Sequence, residues 1–267
     1  RPAILSLVPE ETITPDSNSS APVYPAEASR EMPEMSEMIA AGVFYGRKKS
    51  KTNPKMRGFV LANRGGIEVI NLQKTVEGLE RAMGFVKEKI RQNGLPLIVG
   101  TEPAAEMLIK ALADKFSFPY VTLRWVGGTI TNFPIISKRV EHMKQLRTDL
   151  ASGALVDKYT KKERLEMERE MNGLLSLMGG LENMPKVPDF IIMIDPTLHT
   201  TAVREAVIKK IPMVALANVD ANPDVIDYLV PGNDKSRKSI EWFLMNVERA
   251  IEEGTKMRVV AAAAEEG

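Results

Sequence analysis

Cysteine is absent from the 267 residues, and histidine occurs only twice, as His142 and His199. Without thiols there is no disulfide framework and no thiolate metal site, and two histidines so far apart argue against a zinc cluster. A reducing, cytosolic setting is the expectation. No apolar run reaches membrane-spanning length before charge or proline interrupts it, and no basic-then-apolar leader opens the chain, so a soluble protein is expected. Three catalytic fingerprints are missing as well. No GxGxxG follows the first strand, no GxxxxGKS or GxxxxGKT occurs, and there is no GxSxG serine elbow.

What is present is a hydrophobic content of 44%, enough for one large α/β domain or two modest ones. The formal charge of +1 conceals an asymmetry. Residues 1–40 carry two basic groups (Arg1, Arg30) against seven acidic ones (Glu10, Glu11, Asp16, Glu27, Glu31, Glu34, Glu37), a net of −5, which leaves +6 on the remainder. A moderately basic body permits a polyanionic partner.

The first thirty or so residues are rich in Pro, Ser and Glu and lack apolar periodicity, which predicts an extended or disordered acidic arm over 1–34. The body opens with a short helix ending at Gly42. GFVLANRGGIEVINL reads as a hairpin around Asn63-Arg64-Gly65-Gly66. The spacing Leu72, Val76, Leu79, Met83, Val86, Ile90 predicts a helix over 72–92. Thereafter strands (LPLIVG, FPYVTLRW, DFIIMID, IPMVALANV, YLVPG) alternate with helices (PAAEMLIKALADKF, TTAVREAVIKK) and a closing helix, SIEWFLMNVERAIEEG. Short apolar runs separated by helices imply parallel strands in βαβ units, hence a doubly wound α/β sandwich over 35–131 and 181–254, with a tail over 255–267.

Residues 132–180 follow another pattern. Ile136, Val140, Met143, Leu146 and Leu150 form one narrow apolar seam, and Met167, Met171, Leu174 and Met178 form a second. Thr160 followed by Glu163 is a capping box for the second helix. The prediction is an antiparallel helical hairpin projecting from the sheet domain.

Among candidate sites, RWVGGTITN at 124–132 could offer the N–H groups of Gly127 and Gly128 to a phosphate, as in a nucleotide-binding α/β enzyme, or simply make a tight turn. His199 follows Asp195 as a general base with an orienting carboxylate would, but equally suits a first-turn helix residue satisfying backbone groups. Asp195, Asp220 and Asp224 could ligate Mg²⁺ or form Asx turns. The basic segment GRKKSKTNPKMRG speaks more clearly. Arg47, Lys48, Lys49, Lys51, Lys55 and Arg57 crowd a segment that Asn53-Pro54 keeps from becoming a helix, with no acid inside it. It reads as a solvated loop or as a grip on nucleic-acid phosphates, with Phe44 and Tyr45 able to stack on bases and Arg64 extending the patch. Lys138 and Arg139 on the first hairpin helix, with Lys144 and Arg147, add cations.

AAGVFYGRKKSKTNPKMRGFV, INLQKTV, LIVGTEPAA, RWVGGTITNF, YTKKERLEMEREM, MGGLENM, PDFIIMID, TAVREA, IPMVALANVDANPD and PGNDKSRKSI resemble, in order, the signature segments of the bacterial-type S-two family of small-ribosomal-subunit proteins. The resemblance covers about residues 35–252. It implies a flavodoxin-like, mainly parallel sandwich with a projecting helical hairpin, and a structural, non-enzymatic role in the cytoplasm at the head-body junction of the small subunit. It also implies binding to small-subunit rRNA and to neighbouring ribosomal proteins, including the S-one protein, with neither membrane nor DNA as partner. By matched position, the rRNA-facing segments fall on Arg47 to Arg57 (including Asn53), on Arg64, and on Arg124 through Asn132, which takes in Trp125, Gly127, Gly128 and Thr129. Phe44 and Arg47 stand where the family commonly has histidines, near which some relatives are associated with zinc. Glu102 stands where the family has a cation. The resemblance with these departures implies no cofactor and no metal.

Overall fold

The computed structural model describes residues 33–152 and 159–265, so the acidic arm, apart from Pro33 and Glu34 in the first helix, and most of the loop at 152–160 lie outside the described residues. A five-stranded parallel sheet forms the centre: β4 (Pro96–Val99), β5 (Tyr120–Val121), β6 (Phe190–Ile194), β7 (Met213–Ala217) and β8 (Tyr228–Pro231). Its spatial order is β5-β4-β6-β7-β8. Renumbered within the sheet this is 2-1-3-4-5, the flavodoxin-like doubly wound order.

Both faces of this sheet are covered, so its strands are apolar at every position rather than at alternate ones. In β6, Phe190, Ile192 and Ile194 point into one buried cluster with helices α1 (Pro33–Ala41), α2 (Leu72–Arg91), α3 (Pro103–Phe116) and α7 (Arg237–Glu265). Ile191 and Met193 point into the other, shared with α6 (Thr200–Lys209) and the first turns of α4 (Phe133–Ala151). Sequential crossovers on opposite faces produce this division.

The hairpin at 63–66 is present as β2 (Val60–Arg64) and β3 (Ile67–Ile70), with Gly65 at φ 57° and Gly66 at φ 82° supplying the left-handed turn. It belongs to a separate antiparallel sheet, order β1-β3-β2, in which β1 (Tyr45–Lys48) pairs Tyr45 with Val69. The basic segment is therefore not wholly irregular: it opens as a strand.

Two other expectations shift. The strand expected over FPYVTLRW shortens to Tyr120–Val121, because the chain beyond it turns away to meet α6. The closing helix does not stop at Gly254 but continues to Glu265. A Cβ at Gly254 would lie 2.6 Å from the Lys87 carbonyl oxygen of α2, so this glycine serves close helix packing rather than termination. No described helix is long and apolar enough to cross a membrane.

Helices α4 and α5 (Lys161–Met178) pack on each other. Ile136, Val140, Met143 and Met178 are buried, and the other residues of both seams are half-buried. The Thr160–Glu163 capping box forms in both directions. Residues 179–181 then return to the edge strand β5, where Gly180 lies against the Tyr120 carbonyl with no room for a side chain.

Candidate nucleic-acid interface

Pro54 and Asn53 shape the basic segment. After β1 the chain makes two short 3-10 helices, Lys49–Lys51 and Pro54–Phe59, the second with proline in its first turn and the Asn53 side chain accepting from the Lys55 N–H at 3.0 Å. The segment is pinned at three places. Lys49 N donates to Gly66 O (2.9 Å), Asn53 N donates to Val219 O (2.8 Å), and Met56 is fully buried. Lys48, Lys49, Lys51 and Arg57, with Arg64 in the adjacent hairpin, are exposed and have no carboxylate at ion-pair distance among the described residues. Five cations are thus held on a firm frame with no carboxylate among the described residues to neutralise them.

Their neighbours behave otherwise. Arg47 turns inward: its Nε donates to Asp220 (3.1 Å), and one terminal nitrogen donates to Asp234 (2.9 Å) and lies 3.5 Å from Asp195. Lys55 pairs with Asp224 at the surface, and the Asn53 side chain is spent on the turn. Phe44 is buried in the core, leaving Tyr45, 49% exposed, as the aromatic that can reach a base. Arg47, Asn53, Lys55 and Phe44, expected to face a partner, are here engaged by acids distant in sequence, by the local turn and by the core, with Lys55 still at the surface.

Arg47 completes an ionic cluster at the C-terminal ends of β6, β7 and β8. Asp195, at φ 53°, accepts from Thr197 N (3.0 Å) and the Thr197 hydroxyl, and receives Lys235 Nζ at 2.9 Å. Lys235 also pairs with Glu102. Burial and the neighbouring Asp195 carboxylate push Asp234 up to about 7, against the pull of Arg47. The Lys235 ammonium is held below its ordinary range by burial and by Arg47. His199 caps the start of α6, and its Nε2 accepts from Thr101 N at 3.3 Å. Burial lowers its pKa although Asp195 draws it the other way. The strand ends that would cradle a nucleotide are occupied by the protein's own ion pairs.

RWVGGTITN closes around an anion belonging to the protein. The Glu205 carboxylate, on the buried side of α6, accepts from Trp125 Nε1 (3.0 Å), Gly128 N (2.8 Å), Ile130 N (3.1 Å), Thr131 N (3.0 Å) and the Thr131 hydroxyl (3.0 Å). Burial would raise the pKa of Glu205, but these bonds outweigh it and hold the group below the usual carboxylate range. Gly128, at φ 89°, permits the bend. The phosphate-cradle reading of Gly127-Gly128 is corrected: the Gly128 N–H is already satisfied. Trp125 is 9% exposed and packs, and Thr129 is fully buried with its hydroxyl on Val126 O. Arg124, Gly127 and Asn132 remain exposed, as do Lys138 and Arg139 on α4, while Lys144 and Arg147 are tied to Glu182.

The exposed cations of both segments rise from one buried cluster, in which Met56 sits with Trp125, Ile130 and Ile136 on the α6 side of the sheet. Glu205, Asp234 and Lys235 were not singled out from the sequence. For Glu205 a signal existed: an acid lies among Ala202, Val203 and Ala206, the buried stripe of its helix. For Asp234 and Lys235 only the strand order brings the partners together.

The sequence pattern of the family described as Ribosomal protein S2 matches residues 38–254. The small ribosomal subunit protein uS2 of Deinococcus radiodurans is 39% identical over 207 residues, covering 78% of this chain and 78% of the relative. That of Thermus thermophilus is 38% identical over 208 residues (78% and 81%), and that of Corynebacterium glutamicum 39% over 224 residues (84% and 85%).

Proposed function

Because the chain belongs to the ribosomal protein S2 family, proteins of the small ribosomal subunit, we propose that it is a structural, non-enzymatic component that binds small-subunit rRNA through its unpaired cations. Its place is the cytoplasmic ribosome, at the head-body junction, where it also meets neighbouring ribosomal proteins, the S-one protein among them. The observation that carries the RNA reading is the division of the basic residues. Arg47 and Lys55 are paired with the protein's own acids, whereas Lys48, Lys49, Lys51, Arg57 and Arg64 stand exposed on a pinned segment with no ion-pair partner among the described residues. Cations so placed cost little ordering entropy on meeting phosphates, and each neutralised phosphate releases counterions.

A-form RNA is read mainly by shape, phosphates and 2′-hydroxyls, and exposed Tyr45 supplies one face for an unpaired base. Arg124, Asn132, Lys138 and Arg139 form a second contact where the sheet domain meets α4. In this reading the sandwich of 35–131 and 181–254 is the platform and the α4–α5 unit of 132–180 is a projecting arm.

Filter binding of the full chain to small-subunit rRNA across a salt series tests the proposal. The triple variant Lys48→Glu, Lys49→Glu, Lys51→Glu is expected to lose at least tenfold in affinity and to flatten the logarithmic salt slope by about 3. Unchanged affinity and slope would overturn it.

A further inference from the structure

We propose that Glu205 is the positioning residue of the second contact: a carboxylate built into the fold as the ligand of the Trp125–Thr131 cradle, which sets the direction in which α4 leaves the sheet and so where Arg124, Lys138 and Arg139 meet RNA. The RNA part rests on the function proposed above; the geometric part stands alone.

Five donors from one short segment converge on this carboxylate, two on Oε1 and three on Oε2. The segment ends where α4 begins. Asn132 N donates to Gly128 O at 2.8 Å, and Ile135 N and Ile136 N then donate to Asn132 O. Glu205 is itself fixed, because Ala202, Val203 and Ala206 of α6 are buried in the same cluster as Ile136, Val140 and Met143 of α4. The carboxylate therefore links a helix locked to the sheet with the first turn of a helix that departs from it.

The demand is for an acceptor on both oxygens rather than for bulk. A glutamine has the same size, but whichever way its amide is turned, an NH₂ group faces either Trp125 Nε1 and Gly128 N or the Ile130 and Thr131 N–H groups. Buried donors left facing a donor are costly, and the loop is expected to open rather than keep them. The pattern of backbone N–H groups is that of an anion nest, filled here from within.

The absence of cysteine makes a direct test straightforward. Glu166→Cys in α5 and Glu241→Cys in α7, both exposed, accept a pair of spin labels in the full chain. One narrow distance distribution is expected with Glu205 present. Glu205→Gln is expected to broaden it and to raise the dissociation constant for small-subunit rRNA at least fivefold. Glu205→Ala is expected to broaden it likewise and to narrow again on titration with acetate, which replaces the missing methylene carbon and carboxylate, whereas chloride at matched ionic strength does not. Thr131→Val, which removes one donor of the five, is a milder variant that serves if the others do not fold, and it is expected to give an intermediate width.

A Glu205→Gln or Thr131→Val distribution as narrow as that of the parent, or an alanine variant indifferent to acetate, would overturn the assignment. Broadened distances with undiminished RNA affinity would overturn the link to RNA while leaving the first contact intact. A parent chain that does not bind rRNA would refute the proposed function, with the distance measurements still deciding the role of Glu205.

Discussion

Arg47 in β1 donates to Asp234 beyond β8 at 2.9 Å, across 187 residues of sequence. The bond joins the small antiparallel sheet to the C-terminal ends of the parallel one. It also explains why a residue from the most basic stretch of the chain contributes to the fold instead of to the proposed RNA contact.

Replacing Arg47 by alanine leaves Asp195, Asp220 and Asp234 facing one another with Lys235 as the nearest remaining cation. Removing one partner of a largely buried ion cluster costs roughly 3 kcal/mol, which urea unfolding would register. Adding Asp234→Asn should recover part of that loss, and a double-mutant cycle measures how much. RNA affinity of the folded variant should change far less than that of the Lys48/Lys49/Lys51 triple variant.

The pH dependence of stability should carry the signature of Asp234. Its pKa rises from 3.8 to about 7 on folding, so the native state binds the proton more tightly than the unfolded chain. The sign follows: this contribution is fully present below pH 4 and is lost as the pH rises towards 7. Glu205 and His199, both lowered by the fold, act in the opposite sense and lose stability as the pH falls, Glu205 below about 4.5 and His199 below about 6.5. Unfolding free energies measured between pH 5 and 8 should therefore decline less steeply in Asp234→Asn than in the parent, by on the order of 2 kcal/mol across the range.

Lys55 and Arg57 occupy the same 3-10 turn but differ in partner. Arg57→Ala is expected to weaken rRNA binding several-fold and to reduce the salt slope by about 1. Lys55→Ala should do less, because its charge is already shared with Asp224. Neither should move the melting temperature appreciably, since exposed ion pairs contribute about 0–1 kcal/mol.

Trp125→Phe keeps most of the apolar contact and deletes the indole donor to Glu205. A loss of about 1–2 kcal/mol in stability is expected from that bond, with the remaining donors still in place. If Trp125 instead stacked on a base, phenylalanine would preserve stability and lower RNA affinity, so thermal unfolding and filter binding together separate the two roles.

Gly180→Ala would drive a methyl group into the Tyr120 carbonyl at the edge of the sheet. The backbone cannot yield as a side chain could, and a destabilisation of roughly 1–3 kcal/mol is expected in thermal or chemical unfolding.

Much of the fold was legible because it is written in local periodicity. Helix α2 follows from its apolar spacing, the β2–β3 turn from its paired glycines, and α5 from the Thr160–Glu163 box. The misreadings share one cause. Gly254 looked like a terminator and is a packing contact with α2, and the strand at 120 was cut short by an acceptor eighty residues away.

The site divides along the same line. Sequence by itself determined that cations crowd residues 46–58, that Asn53-Pro54 forbids a long helix there, and that the chain alternates strand and helix, because each depends on neighbours within a few residues. Which cations stay free was decided only by the tertiary structure. Strand order sets Asp195, Asp220 and Asp234 around Arg47, and the crossover to α6 delivers Glu205 to the Gly127-Gly128 loop. Pairing energy depends on distance in space, and the one-dimensional sequence does not contain that distance until the sheet has been wound.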